Sequence, residues 1–149
     1  MATIQLVVDC SDPARLIPCW AAALDYVPAP PPAGSPTWRE FYVRGGVPET
    51  ELPETGDACD RIVDPKGVGP AVWFQVVPES KVVKNRLHID VQVGGGRGVP
   101  LDERRTRVRS RVATLTALGA TVLHTHEGEF VGHYATTLAD PEGNEFCVV

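Results

Sequence analysis

The sequence has no Cys-x-x-Cys pair, no apolar run near the ~20 residues that span a bilayer, and no excess of basic charge. Cys10, Cys19, Cys59 and Cys147 are scattered, so neither a zinc knuckle nor a disulfide framework is indicated. The first residues lack the basic stretch and apolar core of a signal peptide, and the expectation is a cytoplasmic protein with reduced thiols and no membrane association. Lys and Arg number 14 against 19 Asp and Glu, a net charge of −5, which disfavours nucleic acid as a partner. "VGGGRGVP" lacks the third glycine of a dinucleotide fingerprint, since position 99 is Val99 and Pro100 follows, and no Walker-type lysine is present. It reads as a flexible connection. His88 and Asp90 have no positioned serine to complete a triad, and nothing supplies an oxyanion hole for a Cys147–His88 nucleophile pair.

What is present is enough apolar sequence, 43% of 149 residues, to bury a core as one domain over 1–149. "ATIQLVVDC" alternates, with Ile4, Leu6 and Val8 on one face and Gln5, Val7 and Asp9 on the other. "SDPARLIPCWAAAL" predicts an amphipathic helix capped by Ser11 or Asp12, with Leu16, Ile17, Trp20, Ala23 and Leu24 on one stripe. Pro18 inside it predicts a kink or a late start. "PTWREFYVRGG", "DACDRIVD" and "PAVWFQVVP" read as three strands, joined by turns and by proline-rich loops at 27–36 and 47–70. The second half opens on "NRLHIDVQV", with His88, Asp90 and Gln92 on one face. A helix is predicted from about Leu101 to Leu118, stopped by Gly119, followed by strands at "ATVLHTH", "HYATTLAD" and "NEFCVV". The arginines of that helix, Arg104 to Arg111, spread around it and read as a solvated face.

The turn Asp64-Pro65-Lys66-Gly67 recurs as Asp140-Pro141-Glu142-Gly143, each copy ahead of the last strand of its half. The chain therefore reads as two βαβββ modules, about 1–80 and about 84–149. The expected fold class is α+β, with the modules forming a cupped mixed sheet around a cleft and the helices on its convex side. Trp73 shares inward parity with Gln75, and Trp38, Tyr42 and Tyr134 are further candidates for an aromatic lining.

"VVDCSDPARLIPCWAAALDY", "NRLHIDVQV", "LGATVL" and "LADPEGNEFCVV" together resemble the vicinal oxygen chelate superfamily, in its glyoxalase-like and bleomycin resistance protein-like branch. The resemblance implies the glyoxalase/bleomycin resistance/dioxygenase fold, a homodimer and a small-molecule ligand. Its members include lactoylglutathione lyases, ring-cleaving dioxygenases, epimerases, fosfomycin-type resistance enzymes and metal-free bleomycin-binding proteins. It places metal-ligand positions on the first and last strands of each half, here Gln5, Gln75, His88 and Cys147. The usual last ligand is a glutamate, and this sequence has Cys147 there.

Gln5, Gln75 and His88 are neutral, so a hard ion is poorly served, while a zinc-like divalent ion would accept His and Cys. No metal ligand or catalytic residue is assigned on this reading. The expected pocket residues are Gln5, Trp73, Gln75, His88, Asp90, Glu145 and Cys147. Glu145 shares the Cys147 face, and His124, His126 and His133 form a less specific polar group. The expectation is a small organic molecule bound in the cleft without the usual metal shell. The alternative is a metal-dependent lyase, isomerase or dioxygenase acting on a vicinal-dioxygen substrate.

Overall fold

In a computed structural model describing residues 4–128 and 132–149, β1 (Leu6–Cys10) keeps the alternation of its sequence. Leu6 and Val8 pack on the core beside buried Cys10, while Val7 and Asp9 face outward. Met1 to Thr3, which include the start of the expected strand, and 129–131 of the segment "EGEFVG" lie outside the described residues. Helix α1 (Pro13–Leu24) begins where the sequence predicts: Asp12 Oδ1 accepts from Ala14 N at 3.0 Å, and Pro13 sits at the first turn, where no backbone donor is needed. The start is not late, and the helix continues through Pro18. Leu16, Cys19, Trp20 and Ala23 bury one stripe, and this burial offsets the backbone bond that proline cannot make.

β2 is only Val27–Pro28, inside the stretch expected as loop. "PTWREFYVRGG" is not a strand: Trp38–Arg44 form helix α2. Thr37 Oγ1 accepts from Glu40 N at 3.1 Å, and Thr-x-x-Glu is a helix-start signal that outweighs the strand preference of Trp, Phe, Tyr and Val. β3 (Arg61–Val63) and β4 (Val72–Val76) follow. The first sheet has the order β1-β4-β3-β2, with β1 parallel to β4 and the other pairs antiparallel.

The second half repeats that plan. β5 is reduced to Asp90–Val91, and Leu87, whose parity in "NRLHIDVQV" is that of Val91, is exposed where Val91 is buried. Helix α3 (Leu101–Ala117) buries Val108 and Leu115 and ends before Gly119, whose φ of 96° suits the left-handed stop. β6 (Thr121–Glu127), β7 (Tyr134–Ala139) and β8 (Glu145–Val148) stand where predicted. The second sheet runs β5-β8-β7-β6, the same connectivity as the first. The expected cupped sheet is thus two four-stranded mixed sheets, each with a long helix against it.

The arginines of α3 are tethered rather than simply solvated. Arg111 pairs with Asp25 at 2.9 Å and reaches the Ala22 carbonyl, Arg105 holds Glu127 at 2.7 Å, and Arg109 donates to the Tyr134 phenol at 3.1 Å. Tyr134 therefore faces α3 and not the cleft.

Both acidic turns close by the bond from glycine N to aspartate carbonyl, Gly67 to Asp64 at 2.9 Å and Gly143 to Asp140 at 3.0 Å. The second turn also locks the modules together. Trp20 Nε1 donates to Asp140 Oδ2 at 2.9 Å, and the Trp20 ring meets Phe146 at 4.8 Å between centroids. Glu142 accepts from Ser11 N, Ser11 Oγ and Asp12 N at 2.7–2.9 Å, at the start of α1. Partial burial pushes the Glu142 carboxyl up, but these donors and Arg15 outweigh it and hold its pKa below the ordinary value. Its contribution is present above the unfolded glutamate pKa and is lost as pH falls through the lower folded one. Glu142→Ala is expected to cost about 1–2 kcal/mol at neutral pH, measured by urea unfolding. The gap to wild type should narrow once pH drops below about 4; a constant gap down to strongly acid pH would contradict the assignment.

Candidate functional site

Period-two alternation puts Glu145 and Cys147 on one face of β8, and pairing decides what they meet. Cys147 lies opposite Asp90 on β5 and Thr137 on β7, and Thr137 lies opposite His124 on β6. The result is a polar row across the second sheet, on the face turned away from α3. Along it, His126 Nε2 is 3.0 Å from Thr137 Oγ1, Thr137 Oγ1 is 3.1 Å from Cys147 Sγ, and Cys147 Sγ is 3.0 Å from His88 Nε2. The same His88 nitrogen lies 3.3 Å from Asp90 Oδ1. The His124 and His126 rings meet edge to face at 4.4 Å.

The row is graded in exposure. Cys147 is buried at 7%, whereas the His88 and Asp90 side chains are 45% and 52% exposed. Burial pushes the Cys147 thiol above its ordinary value, with Asp90 and Glu145 adding to the shift against the Thr137 bond and Lys84. It is a thiol near neutral pH, not an activated thiolate.

The expected pocket residues divide into three groups. His88, Asp90 and Cys147 come together. Glu145 stands beside them, 3.5 Å from Lys84 Nζ, with its backbone N–H donating to Asn85 Oδ1 at 3.3 Å. Gln5, Trp73 and Gln75 belong to the first module: Gln5 is exposed ahead of β1, and Gln75 lies opposite Asp9. Among the described residues, no hydrogen bond joins Gln5 or Gln75 to His88 or Cys147.

Trp73 is engaged elsewhere. Its Nε1 donates to Asp60 Oδ2 at 2.8 Å, where Tyr42 also donates at 2.8 Å, and Arg61 Nε holds the other oxygen at 2.7 Å. Arg61 stacks 4.5 Å over the Trp38 ring. Burial, followed by the Asp60 bond, pushes the Tyr42 phenol up to about 12, so it stays a donor. Helix α2 thus brings its aromatic side chains to the Trp73 face of the first sheet.

A cavity of about 910 Å³ opens between β1 and the connection from Val77 to Ile89. Val7, Asp9, Val82, Leu87, His88 and Glu145 are among its walls. Val82 and Leu87 are 86% and 83% exposed, an apolar rim beside charged and imidazole groups. Thr137 was not foreseen, and His126 was read only as one of a less specific polar group with His124 and His133. Alternation along β7 and β6 gives their faces, but only the pairing of β7 with β8 brings Thr137 to Cys147.

Two units that share the βαβββ connectivity, with a polar row on the second sheet and an open cavity whose walls run from β1 and Trp20 of α1 to His88 and Glu145, define an α+β cleft protein. The sequence from residue 5 to residue 149 matches the model of the glyoxalase-like domain, and the chain belongs to that family. No protein of curated function matches it. The fold is similar to that of the fosfomycin resistance protein FosX from Mesorhizobium loti, at 8% identity and a TM-score of 0.58 over 99% of this chain and 89% of that one. It is similar also to a variant FosX from Listeria monocytogenes complexed with Mn(II) and 1S,2S-dihydroxypropylphosphonic acid, at 10% identity, TM-score 0.55, and 99% and 89% coverage. A glyoxalase/bleomycin resistance protein/dioxygenase family enzyme from Burkholderia phytofirmans matches at 15% identity, TM-score 0.54, over 97% and 94%.

The four-residue metal shell implied by the resemblance does not fit these side chains. His88 and Cys147 meet, but Gln5 and Gln75 are not joined to them and would bring only neutral amides. A hard, oxygen-preferring ion gains little from a thiol, an imidazole and two amides.

The thiol environments give a direct check. Burial pushes Cys10 and Cys19 up to about 12, with nearby carboxylates adding to it, and burial raises Cys59 and Cys147 as well. Iodoacetamide labelling of native protein at pH 7, followed by mass spectrometry, should be slow at all four and slowest at Cys10 and Cys19. Labelling should accelerate only above the ordinary thiol value of about 8.5. Fast labelling of Cys147 at pH 7 would contradict this picture.

Proposed function

We propose that this chain binds a small organic molecule in its cleft and does so without the four-residue metal shell of its metal-using relatives. The observation that carries the reading is the open cavity of about 910 Å³, with its apolar rim of Val7, Val82 and Leu87 beside His88 and Glu145. Apolar walls with a few placed polar groups favour binding of a small ligand, and a cavity of this volume has room for one of drug size. The four free thiols suit a reducing compartment, which supports a cytoplasmic protein. No helix among the described residues is long and apolar enough to cross a membrane.

The second reading is a metal-dependent lyase, isomerase or dioxygenase acting on a vicinal-dioxygen substrate. It draws support from the FosX complex, which holds Mn(II) and a diol phosphonate, and from the contact between His88 and Cys147. The two readings separate on a thermal-shift panel of aromatic and polyketide-like ligands, run with and without chelator. On the binding reading, a ligand at about 100 times its Kd adds about 2.7 kcal/mol of apparent stability, chelator changes nothing, and Leu87→Glu removes the shift while leaving the unliganded Tm unchanged. A shift that vanishes with chelator, or the absence of any shift across the panel, would sink it.

A homodimer is part of the same proposal. β1 and β5 each end a sheet with a neighbour on one side only, and Ile4 and Val7 on or near β1 are exposed apolar groups. Light scattering at micromolar concentration should return twice the chain mass, reduced to the chain mass by Val7→Lys. A monomeric wild type would refute it.

A further inference from the structure

Backbone pairing leaves two strand edges unused. Leu6 N donates to Ala71 O and Val77 N to Cys10 O, both at 3.0 Å, and β1 runs beside β4 from Leu6 opposite Val72 to Cys10 opposite Val76. In a parallel ladder of that register Leu6, Val8 and Cys10 direct their backbone groups to β4, so Val7 and Asp9 direct theirs to the opposite side. The second module repeats the pattern. Ile89 O accepts from Cys147 N at 2.9 Å and Val91 O from Val149 N at 3.0 Å, which turns the backbone groups of His88 and Asp90 away from β8. β1 and β5 each end their sheet, so among the described residues no strand pairs with these groups.

The cavity of about 910 Å³ lies between those two edges. Its walls include Leu6 and Val8 from the core side of β1, Val7 and Asp9 from the other side, and His88 and Ile89 across from them. The space therefore passes through the plane of the sheets, and a chain within it meets backbone donors and acceptors on both sides. We propose that this slot takes one extended segment of a partner polypeptide, paired as a strand with Val7 and Asp9 on one side and with His88 on the other. In strand addition the main-chain bonds supply affinity and alternate side chains supply specificity. One face of the segment meets Leu6, Val8, Trp20 and Ile89, which calls for apolar side chains. Charge on the walls is acidic in balance: Glu145 pairs with Lys84 and Glu142 is held by Ser11 and Asp12, leaving Asp9 and Glu79 against Lys81. Basic side chains thus suit the outward face, where Asp9 stands. The inference uses the strand edges rather than the apolar rim, and so stands or falls apart from the small-molecule reading. The proposed homodimer draws on the same edge, so a second copy is the competing occupant.

The test is fluorescence anisotropy of a labelled Lys-Val-Lys-Val-Lys-Val-Lys peptide titrated with the full-length protein, with the mass followed by light scattering. Saturable binding to one chain is expected. Methylating the valine nitrogens removes backbone donors and keeps the side chains, and should weaken binding by about tenfold. Val7→Pro removes an N–H that β4 does not use and proline is tolerated on an edge strand, so it should weaken binding to a similar degree with the far-ultraviolet circular dichroism unchanged. Asp9→Asn should cost about two- to fivefold, and a peptide with glutamate in place of lysine should bind less tightly. The methylated peptide alters only the ligand and keeps the test open if Val7→Pro does not fold. The proposal is overturned by absence of binding, by methylated peptide or Val7→Pro protein binding as the parents do, by equal affinity for the glutamate peptide, or by a doubled mass that no concentration of peptide reduces, which would give the slot to a second copy.

Discussion

The carboxylate of Asp140, 3% exposed, organises the contact between the two halves. Its Oδ1 accepts from Glu142 N and Asn144 N, and its Oδ2 from Trp20 Nε1 and Asn144 Nδ2, all at 2.9 Å. A buried charge is tolerable only when its lone pairs are satisfied, and here the donors come from its own turn and from α1 of the other module. The turn therefore has one conformation and one docking position. β8 leaves it in fixed register, with Phe146 against Trp20 on the core side and Cys147 on the opposite face, opposite Asp90 and Thr137.

Equal connectivity does not make the two open faces equal. On the first module, Asp60 gathers Trp73, Tyr42 and Arg61 into a bonded cluster to which α2 contributes. Those polar atoms already satisfy one another. On the second module the row from His126 to Asp90 is linked along the sheet, its His88 and Asp90 end is half exposed, and His88 borders the cavity. The linked polar row thus lies on one half of a pseudo-symmetric fold, the half in which Cys147 breaks the expected metal-ligand pattern.

The readings that held rest on local physics. Asp-Pro-x-Gly closes a turn wherever it occurs, Gly119 stops a helix because it accepts positive φ, and alternation assigns Glu145 and Cys147, or His88 and Asp90, to one face without reference to the rest of the chain. The misreading of 36–46 came from ranking the strand preference of Trp, Phe, Tyr and Val above the Thr37–Glu40 cap, which is equally local. β2 escaped notice because a two-residue strand owes its existence to β3 alongside it. Tyr134 has the right residue type for a cleft wall and the wrong parity.

By itself, then, the sequence determined two repeated modules, their turns, the faces of most strands and the substitution of cysteine at the last expected ligand position. These follow from periodicities and caps that span a few residues. Only the tertiary structure decided that His88, Asp90 and Cys147 share one locus, that Thr137 and His126 stand behind the sulfur, and that Trp73 is engaged by Asp60. Register between strands distant in sequence sets those distances, and register arises from packing of the whole core, which no short stretch encodes.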